Sequence, residues 1–99
     1  MFLGLYTYHG APAVLFAGYR RLLSRFPDSG FALHVAATTS TGIVVVDACP
    51  SAEEFGRFSR SPELRAYTLA AGLPLPEVRP LGEVVHAVLS APVPLAVPR

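Results

Sequence analysis

Four residue types are absent from this chain of 99 residues, which contains no lysine, asparagine, glutamine or tryptophan. Their absence removes several side chains that enzymes commonly use in catalysis. Cysteine occurs once, as Cys49. A single cysteine cannot form a disulfide within the chain, and this usage is typical of a protein in the reducing cytoplasm. The sequence therefore predicts a cytoplasmic protein without an internal disulfide.

Charged residues are also scarce, at 15% of the chain against 52% hydrophobic residues. A monomer of this composition has too few polar side chains to cover its apolar surface, so we expect a homodimer. The formal net charge is +1, and no run of basic residues occurs. The sequence therefore gives no electrostatic basis for a nucleic-acid partner.

Long uninterrupted apolar runs are missing too, even in the hydrophobic stretch of residues 1–18. This stretch has no basic start, is interrupted by His9, Gly10 and Pro12, and is followed by two arginines. These features favour a strand that leads into a helix over a signal peptide or a membrane span. We therefore expect no membrane partner.

The remaining pattern predicts the element order β-α-β-β-α-β. The strands are expected at Phe2–His9, Phe31–Ala37, Ile43–Ala48 and Gly82–Leu89. The first helix follows Pro12 and carries one apolar stripe at helical spacing: Leu15, Tyr19, Leu22, Leu23 and Phe26. This order is that of an α+β, ferredoxin-like antiparallel sheet with helices on one face. We expect one domain over residues 1–90 and a proline-rich tail over residues 91–99.

The second helical region is predicted to be broken in two. Ser51 and Glu54 fit a capping box, and Ser61-Pro62 fits a new helix start. Phe55 and Phe58 are expected to point inward from the first piece. Leu64, Tyr67 and Ala71 form the predicted inward stripe of the second piece, and residues 73–80 form a proline-punctuated connector.

The two middle strands are predicted to form a hairpin with a defined register. If the loop has an even number of residues and is centred between Ser40 and Thr41, His34 lies directly opposite Asp47. The two side chains then share one face of the sheet, and Cys49 follows on that face. The other face is expected to be core, and it carries Phe31, Leu33, Val35, Val44 and Val46.

The predicted pair of His34 and Asp47 has two interpretations. A histidine with one ring nitrogen held by a carboxylate presents the other nitrogen as a general base near neutral pH. Alternatively, the pair is a buried hydrogen bond that fixes the strand register. The first interpretation makes both residues catalytic.

Other polar and aromatic side chains are candidates for ligand binding. Tyr6, Tyr8 and Tyr67 are candidates for an aromatic pocket in which a phenol donates to an enolate oxygen. His86 is expected on the last strand beside the first, as a second acid or base or as a partner for a tyrosine. Cys49 and Phe58 complete this predicted set, and the alternative role of Cys49 is that of a nucleophile.

Two kinds of site are not indicated by spacing. No HxH, HxxxH or CxxC pattern occurs, and no glycine-rich phosphate loop is present. We therefore expect neither a metal nor another cofactor. Arg65 and Arg79 are candidates for binding an acidic substrate, although solvated surface arginines are the more common case.

The segment VVVDACPSAEEFGRFSRSPELRAY, residues 44–67, resembles the antibiotic-biosynthesis-monooxygenase-like branch of the dimeric α+β barrel superfamily. The shared features are a strand ending in an acidic residue, a Ser-x-Glu-type helix start with paired aromatics, and a Ser-Pro restart. The resemblance implies a homodimer whose sheets close into a barrel, with a ligand pocket between sheet and helices in each subunit. Members include cofactor-free oxygenases of aromatic polyketides, heme-degrading oxygenases, and cyclases or isomerases.

The chain also departs from this family's pattern. Cys49 stands where many members have tryptophan, which implies a wider pocket. The segment Arg65–Thr68 has no histidine where the heme-degrading members bind iron, and the chain lacks the asparagine expected for oxygen chemistry. These departures argue against heme degradation and weaken the inference of oxygenase activity.

Taken together, these features predict a cofactor-free enzyme that acts on a hydrophobic aromatic or polyketide-like small molecule by acid/base cyclisation or isomerisation. One alternative is a cofactor-independent monooxygenase, in which a substrate carbanion activates oxygen. The other alternative is a non-catalytic barrel that binds a ligand or a partner protein.

Overall fold

The computed structural model describes residues 1–25 and 33–90, together with Val93 and Leu95. Within these residues the elements follow the predicted order, with the second helical region divided in two. They are β1 (Phe2–His9), α1 (Pro12–Leu23), β2 (Leu33–Thr39), β3 (Gly42–Cys49), α2 (Ala52–Ser59), α3 (Pro62–Ala70) and β4 (Glu77–Glu83). No helix in this part of the chain is long and apolar enough to cross a membrane.

In the described part of the chain the strands form one antiparallel sheet in the order β2-β3-β1-β4. The central strands are β1 and β3, so β2 and β4 lie at the edges. This arrangement confirms the predicted α+β fold class and is compatible with a ferredoxin-like fold. It also places β2, which carries His34, at an edge of the sheet, with a neighbouring strand on one side only among the described elements.

The β2–β3 hairpin has the predicted register. His34 pairs with Asp47, Ala36 with Val45 and Thr38 with Ile43, and a two-residue turn connects Thr39 to Gly42. Both strands continue further toward the turn than predicted. The predicted start of β2 at Phe31 lies outside the described residues.

The helices pack on one face of the sheet and bury it. Because opposed residues point to the same side, this face carries Tyr6, Tyr8, Ile43, Val45 and Asp47. The buried cluster joins side chains of β1 and β3 with those of α1 and α2, and its members include Tyr6, Tyr8, Leu15, Tyr19, Leu22, Ile43, Val45, Cys49 and Phe55. The core therefore lies on the same face as the predicted polar pair.

The prediction that the other face is the core was wrong. Val35 is 50% exposed, and Leu33, Val44 and Val46 are half-buried. Both faces of the hairpin are apolar, so strand alternation alone does not determine which face the helices cover. We call the uncovered side the open face; in β1 it carries Leu3, Leu5 and Thr7.

The predicted position of the last strand was also wrong. β4 spans Glu77–Glu83 rather than Gly82–Leu89, and residues 84–90 have no regular secondary structure. β4 is an edge strand of the described sheet and contains Pro80. Proline has no backbone N–H, and an edge strand tolerates it because not every residue there donates to a neighbouring strand. His86 consequently lies beyond the strand and is exposed, not beside β1.

Two serines divide the second helical region, as predicted. The Ser51 hydroxyl accepts a hydrogen bond from the Glu54 amide at 3.1 Å, and the Ser61 hydroxyl accepts one from the Leu64 amide at 3.2 Å. The predicted inward stripe of α3 was wrong at Tyr67, which is 38% exposed, whereas Thr68 is buried. Thr68 fits the interior because its hydroxyl donates to the Leu64 carbonyl at 2.6 Å.

Candidate functional site

Asp47 and His34 form the predicted cross-strand contact. The Asp47 side chain is 4% exposed, whereas that of His34 is 30% exposed. Because a carboxylate only accepts, His34 Nδ1–H donates the hydrogen bond to Asp47 Oδ1. In a neutral imidazole this leaves Nε2 as an acceptor.

Tyr19 supplies the group that meets Nε2. Its hydroxyl lies 2.5 Å from His34 Nε2 and donates to it, and the two rings are parallel with centroids 6.0 Å apart. Tyr19 projects from α1 and is 6% exposed. Asp47, His34 and Tyr19 thus form a continuous hydrogen-bonded chain, which we call the relay.

Sequence reasoning missed the role of Tyr19, because its spacing assigned it to the apolar stripe of α1. A buried tyrosine hydroxyl nonetheless needs a hydrogen-bond partner. This requirement could have indicated a polar partner for Tyr19, because few polar side chains in the chain are set among apolar residues and could serve as that partner. It could not select His34 without knowing that α1 packs over β2 and β3.

Burial controls the protonation of the neighbouring phenols. Desolvation, with a smaller effect of the Asp47 charge, raises the pKa of Tyr8 to about 12. Burial, followed by the charges of Asp47 and Tyr8, raises the pKa of Tyr19 to about 12. Both phenols therefore stay protonated at neutral pH. For Tyr19 this leaves the hydroxyl able to donate to His34 Nε2.

Cys49 is buried at the end of β3. Burial, then the charges of Asp47 and Glu54, raise the pKa of its thiol. A thiolate is the reactive form of cysteine, so this environment disfavours the alternative of a nucleophilic Cys49. The side chain belongs to the core cluster instead.

A pocket of about 340 Å³ lies between α3, the α2–α3 junction and β4. We call it the α3–β4 pocket. Its lining residues are Tyr6, Ser59, Arg60, Ser61, Leu64, Arg65, Thr68, Leu75, Pro76 and Val78. Two of the predicted candidates for ligand binding, Tyr6 and Arg65, are among them, whereas the predicted catalytic residues His34 and Asp47 are not.

The other predicted ligand-binding residues are dispersed. Tyr8 is buried in the core. Phe58 is half-buried and packs against the core cluster. Tyr67 is on the surface, where the Arg25 guanidinium lies 5.8 Å from its ring centroid. His86 is exposed beyond β4. The structure therefore does not bring these residues together into one aromatic pocket.

No cluster of three or more histidine, cysteine, aspartate or glutamate side chains with a geometry suited to a metal ion occurs among the described residues. Arg79 is opposite Leu5 in the ladder and so lies on the open face, away from the α3–β4 pocket.

The comparisons with known proteins do not assign the chain to a family. No family model matches it. No curated protein matches it significantly either. Membership of the antibiotic-biosynthesis-monooxygenase-like branch therefore stays a prediction from the resemblance of residues 44–67.

Proposed function

We propose that this chain is a cofactor-free acid/base enzyme that cyclises or isomerises a hydrophobic, aromatic or polyketide-like small molecule. The relay is the observation that carries the proposal. It holds the imidazole of His34 by a buried carboxylate on one side and leaves its other nitrogen bonded to a phenol. In this reading His34 is the base and Asp47 orients it.

The hydrogen-bond partner of Nε2 indicates which chemical group of a substrate could donate to this nitrogen. Tyr19 presents a phenolic hydroxyl, which is chemically similar to the enol or phenol of an aromatic polyketide. The His34 side chain is 30% exposed on an edge strand, so a substrate can approach it from outside. A substrate that replaces the Tyr19 hydroxyl meets an imidazole whose Nδ1 proton is held by Asp47, so that Nε2 is the nitrogen that takes up a proton.

The proton movement then follows from this geometry. Nε2 takes a proton from a carbon next to a carbonyl group and becomes an imidazolium, which the Asp47 carboxylate stabilises. The enolate either regains the proton at another atom, giving an isomer, or its carbon attacks a second carbonyl, giving a ring. In the second case the imidazolium of His34 returns the proton to the alkoxide that forms, which restores the neutral base. Neither path requires an oxidant or a cofactor.

Deuterium exchange tests this proposal without knowledge of the natural substrate. In D₂O, the protein should accelerate exchange of the acidic methylene protons of β-tetralone, followed by proton NMR. His34→Ala should lower the protein-dependent rate about a hundredfold, the usual scale of general-base catalysis. Val35→Ala changes the next residue on the opposite face and should not alter the rate. Equal rates for wild type and His34→Ala would refute the proposal.

A non-catalytic ligand-binding or partner-binding barrel is the second candidate function. It is favoured by the fact that both ring nitrogens of His34 have partners within the protein, as a purely structural histidine requires. In that case His34→Ala and Asp47→Asn lower stability, and ligand or partner binding persists.

Oxygen uptake during turnover would instead identify the cofactor-independent monooxygenase, which needs the same base.

We also propose that the protein is a homodimer joined through the open face. This face presents Leu5, Val44 and Val46 in adjacent rows of the central strands, with Val35 beside them at the edge. Among the described elements the helices cover only the opposite side, and an uncovered apolar sheet face is typical of an interface. Light scattering at micromolar concentration should give the mass of two chains, and a single-chain mass would refute the proposal.

A further inference from the structure

The α3–β4 pocket carries an excess of positive charge. Arg60 and Arg65 are among its lining residues, and no aspartate or glutamate is. Within the described part of the chain neither guanidinium takes part in an ion pair. Glu77, which is next to two lining residues in sequence, instead pairs with His9 at 3.1 Å. Among the residues that the structure describes, the pocket therefore has no anion to balance its arginines.

A buried hydroxyl of the pocket wall also lacks a hydrogen-bond partner among the described residues. Tyr6 is 3% exposed, and its hydroxyl has no hydrogen-bond partner among the described residues. Three other hydroxyls of the pocket wall, those of Ser59, Ser61 and Thr68, are already engaged with backbone groups. Burial raises the pKa of Tyr6 well above its usual range, so the phenol stays protonated and can only gain by donating.

The rest of the wall is apolar. Leu64, Leu75, Pro76 and Val78 supply it, and the volume of about 340 Å³ is within the range of small-molecule sites. A ligand for this pocket thus needs an anionic group for the arginines, an acceptor for a phenol and a compact hydrophobic body.

We propose that the α3–β4 pocket binds a hydrophobic carboxylic acid, with its carboxylate held by Arg60 and Arg65 and its body against the leucine, proline and valine side chains. A guanidinium matches a carboxylate with two parallel hydrogen bonds, which favours this anion over a spherical one. The Tyr6 hydroxyl donates to an oxygen of the same ligand. The proposal goes beyond the acid/base reaction and is independent of it, because His34 and Asp47 do not line this pocket.

Calorimetric titration of the full chain with naphthoate tests the assignment. We expect binding of naphthoate, binding at least tenfold weaker for methyl naphthoate, which lacks the charge, and no competition from equimolar inorganic phosphate. Arg60→Ala and Arg65→Ala should each raise the Kd about tenfold, the scale of a lost charge-assisted hydrogen bond. Arg57→Ala is the matched control, since Arg57 is on α2, pairs with Glu54 and does not line the pocket.

Tyr6→Phe separates a binding role from a structural one. Its hydroxyl loses no hydrogen bond to any described residue, so the urea midpoint should stay or rise while the Kd for naphthoate increases several-fold. Four results would each overturn the proposal: no naphthoate binding, equal binding of the methyl ester, competition by phosphate, or a Kd change in the Arg60 and Arg65 variants no larger than in Arg57→Ala. Because the readout is binding and not turnover, failure here is distinguishable from failure of the acid/base proposal.

Discussion

His34 and Asp47 face each other across the β2–β3 ladder, and the Nδ1–H of His34 donates a hydrogen bond to the Asp47 carboxylate. The aspartate is almost fully enclosed, whereas 30% of the histidine side chain remains exposed. The imidazole therefore bridges the interior of the sheet and its edge. Because Asp47 is the enclosed partner, the stability of the fold depends on the hydrogen bond that His34 donates to it.

Removing His34 should destabilise the fold more than its exposure suggests. His34→Ala leaves the buried Asp47 carboxylate without its hydrogen-bond donor, which should lower the free energy of unfolding by about 3 kcal/mol. Val35→Ala, at a side chain 50% exposed on the same strand, should cost about 1 kcal/mol or less. Urea unfolding followed by circular dichroism measures both. In a double-mutant cycle, Asp47→Ala should add much less in the His34→Ala background than alone, and full additivity would contradict the pairing.

Two tyrosine hydroxyls should respond to removal with opposite signs. Tyr19→Phe deletes the donor to His34 Nε2 and should lower the free energy of unfolding by about 1 kcal/mol. Tyr6→Phe deletes a buried hydroxyl that has no partner among the described residues, so stability should stay the same or rise. Chemical denaturation of the two variants in parallel makes the comparison. Equal losses would show that hydrogen bonding does not distinguish the two sites.

The buried phenols should make the fold sensitive to alkali. In the unfolded chain Tyr8 and Tyr19 ionise near their ordinary pKa of 10.0, whereas in the folded protein each pKa is raised to about 12. Within this window the folded state binds more protons than the unfolded state. The free energy of unfolding should therefore be fully retained below pH 10 and fall as the pH rises toward 12, by at most about 1.4 kcal/mol per pH unit for each tyrosine.

Urea unfolding at a series of alkaline pH values measures this dependence. Tyr8→Phe removes one of the groups and should make the fall shallower. A free energy of unfolding that does not change between pH 10 and 12 would contradict the prediction.

Two glycines with different neighbours should differ in their tolerance of alanine. A Cβ at Gly42 would lie 1.9 Å from the backbone carbonyl oxygen of Tyr8, so β1 and β3 would have to separate. We expect Gly42→Ala to cost about 1–3 kcal/mol of unfolding free energy. At Gly56 the nearest atoms to the Cβ belong to the end of the flexible Arg60 side chain, at 3.0 Å, and alanine favours the helix. Gly56→Ala should therefore be neutral or stabilising in the same urea assay, and the reverse order would be inconsistent with the described packing.

A charge on the open face should dissociate the proposed dimer. Val46 pairs with Leu5 and Val35 in the central rows of that face, so Val46→Asp would place a carboxylate within the interface. We expect its mass by light scattering to fall from two chains to one. Val14→Asp is the control, because Val14 is 66% exposed on α1. Loss of the dimer in both variants would exclude the open face as its specific cause.

The local features of the chain were predictable from the sequence. The register that opposes His34 and Asp47 follows from strand alternation and an even turn, both of which are properties of neighbouring residues. The caps at Ser51 and Ser61 are equally local, since each hydroxyl serves an amide three residues on. Fold class followed because the element order leaves few topologies.

The features that were missed depend on contacts between distant elements. The hairpin is apolar on both faces. The helices pack on the face that bears Ile43 and leave the face that bears Val44 uncovered, and the hairpin's own sequence does not determine this. The prolines of residues 73–80 argued against a strand, yet an edge position accommodates Pro80 in β4. The link from Tyr19 to His34 required the path of α1 across the sheet, which no local pattern encodes.

The relay also has a consequence for how the molecule opens. Edge strands usually detach first in local unfolding, because one side of their backbone is unpaired. Here β2 is fastened to its neighbour by His34–Asp47 and to α1 by His34–Tyr19, so it cannot leave the sheet without breaking both links. Amide hydrogen exchange along β2 should therefore be slower than along β4, the other edge. The same imidazole that we propose as a base thus ties the edge strand β2 to the central strand β3 and to α1.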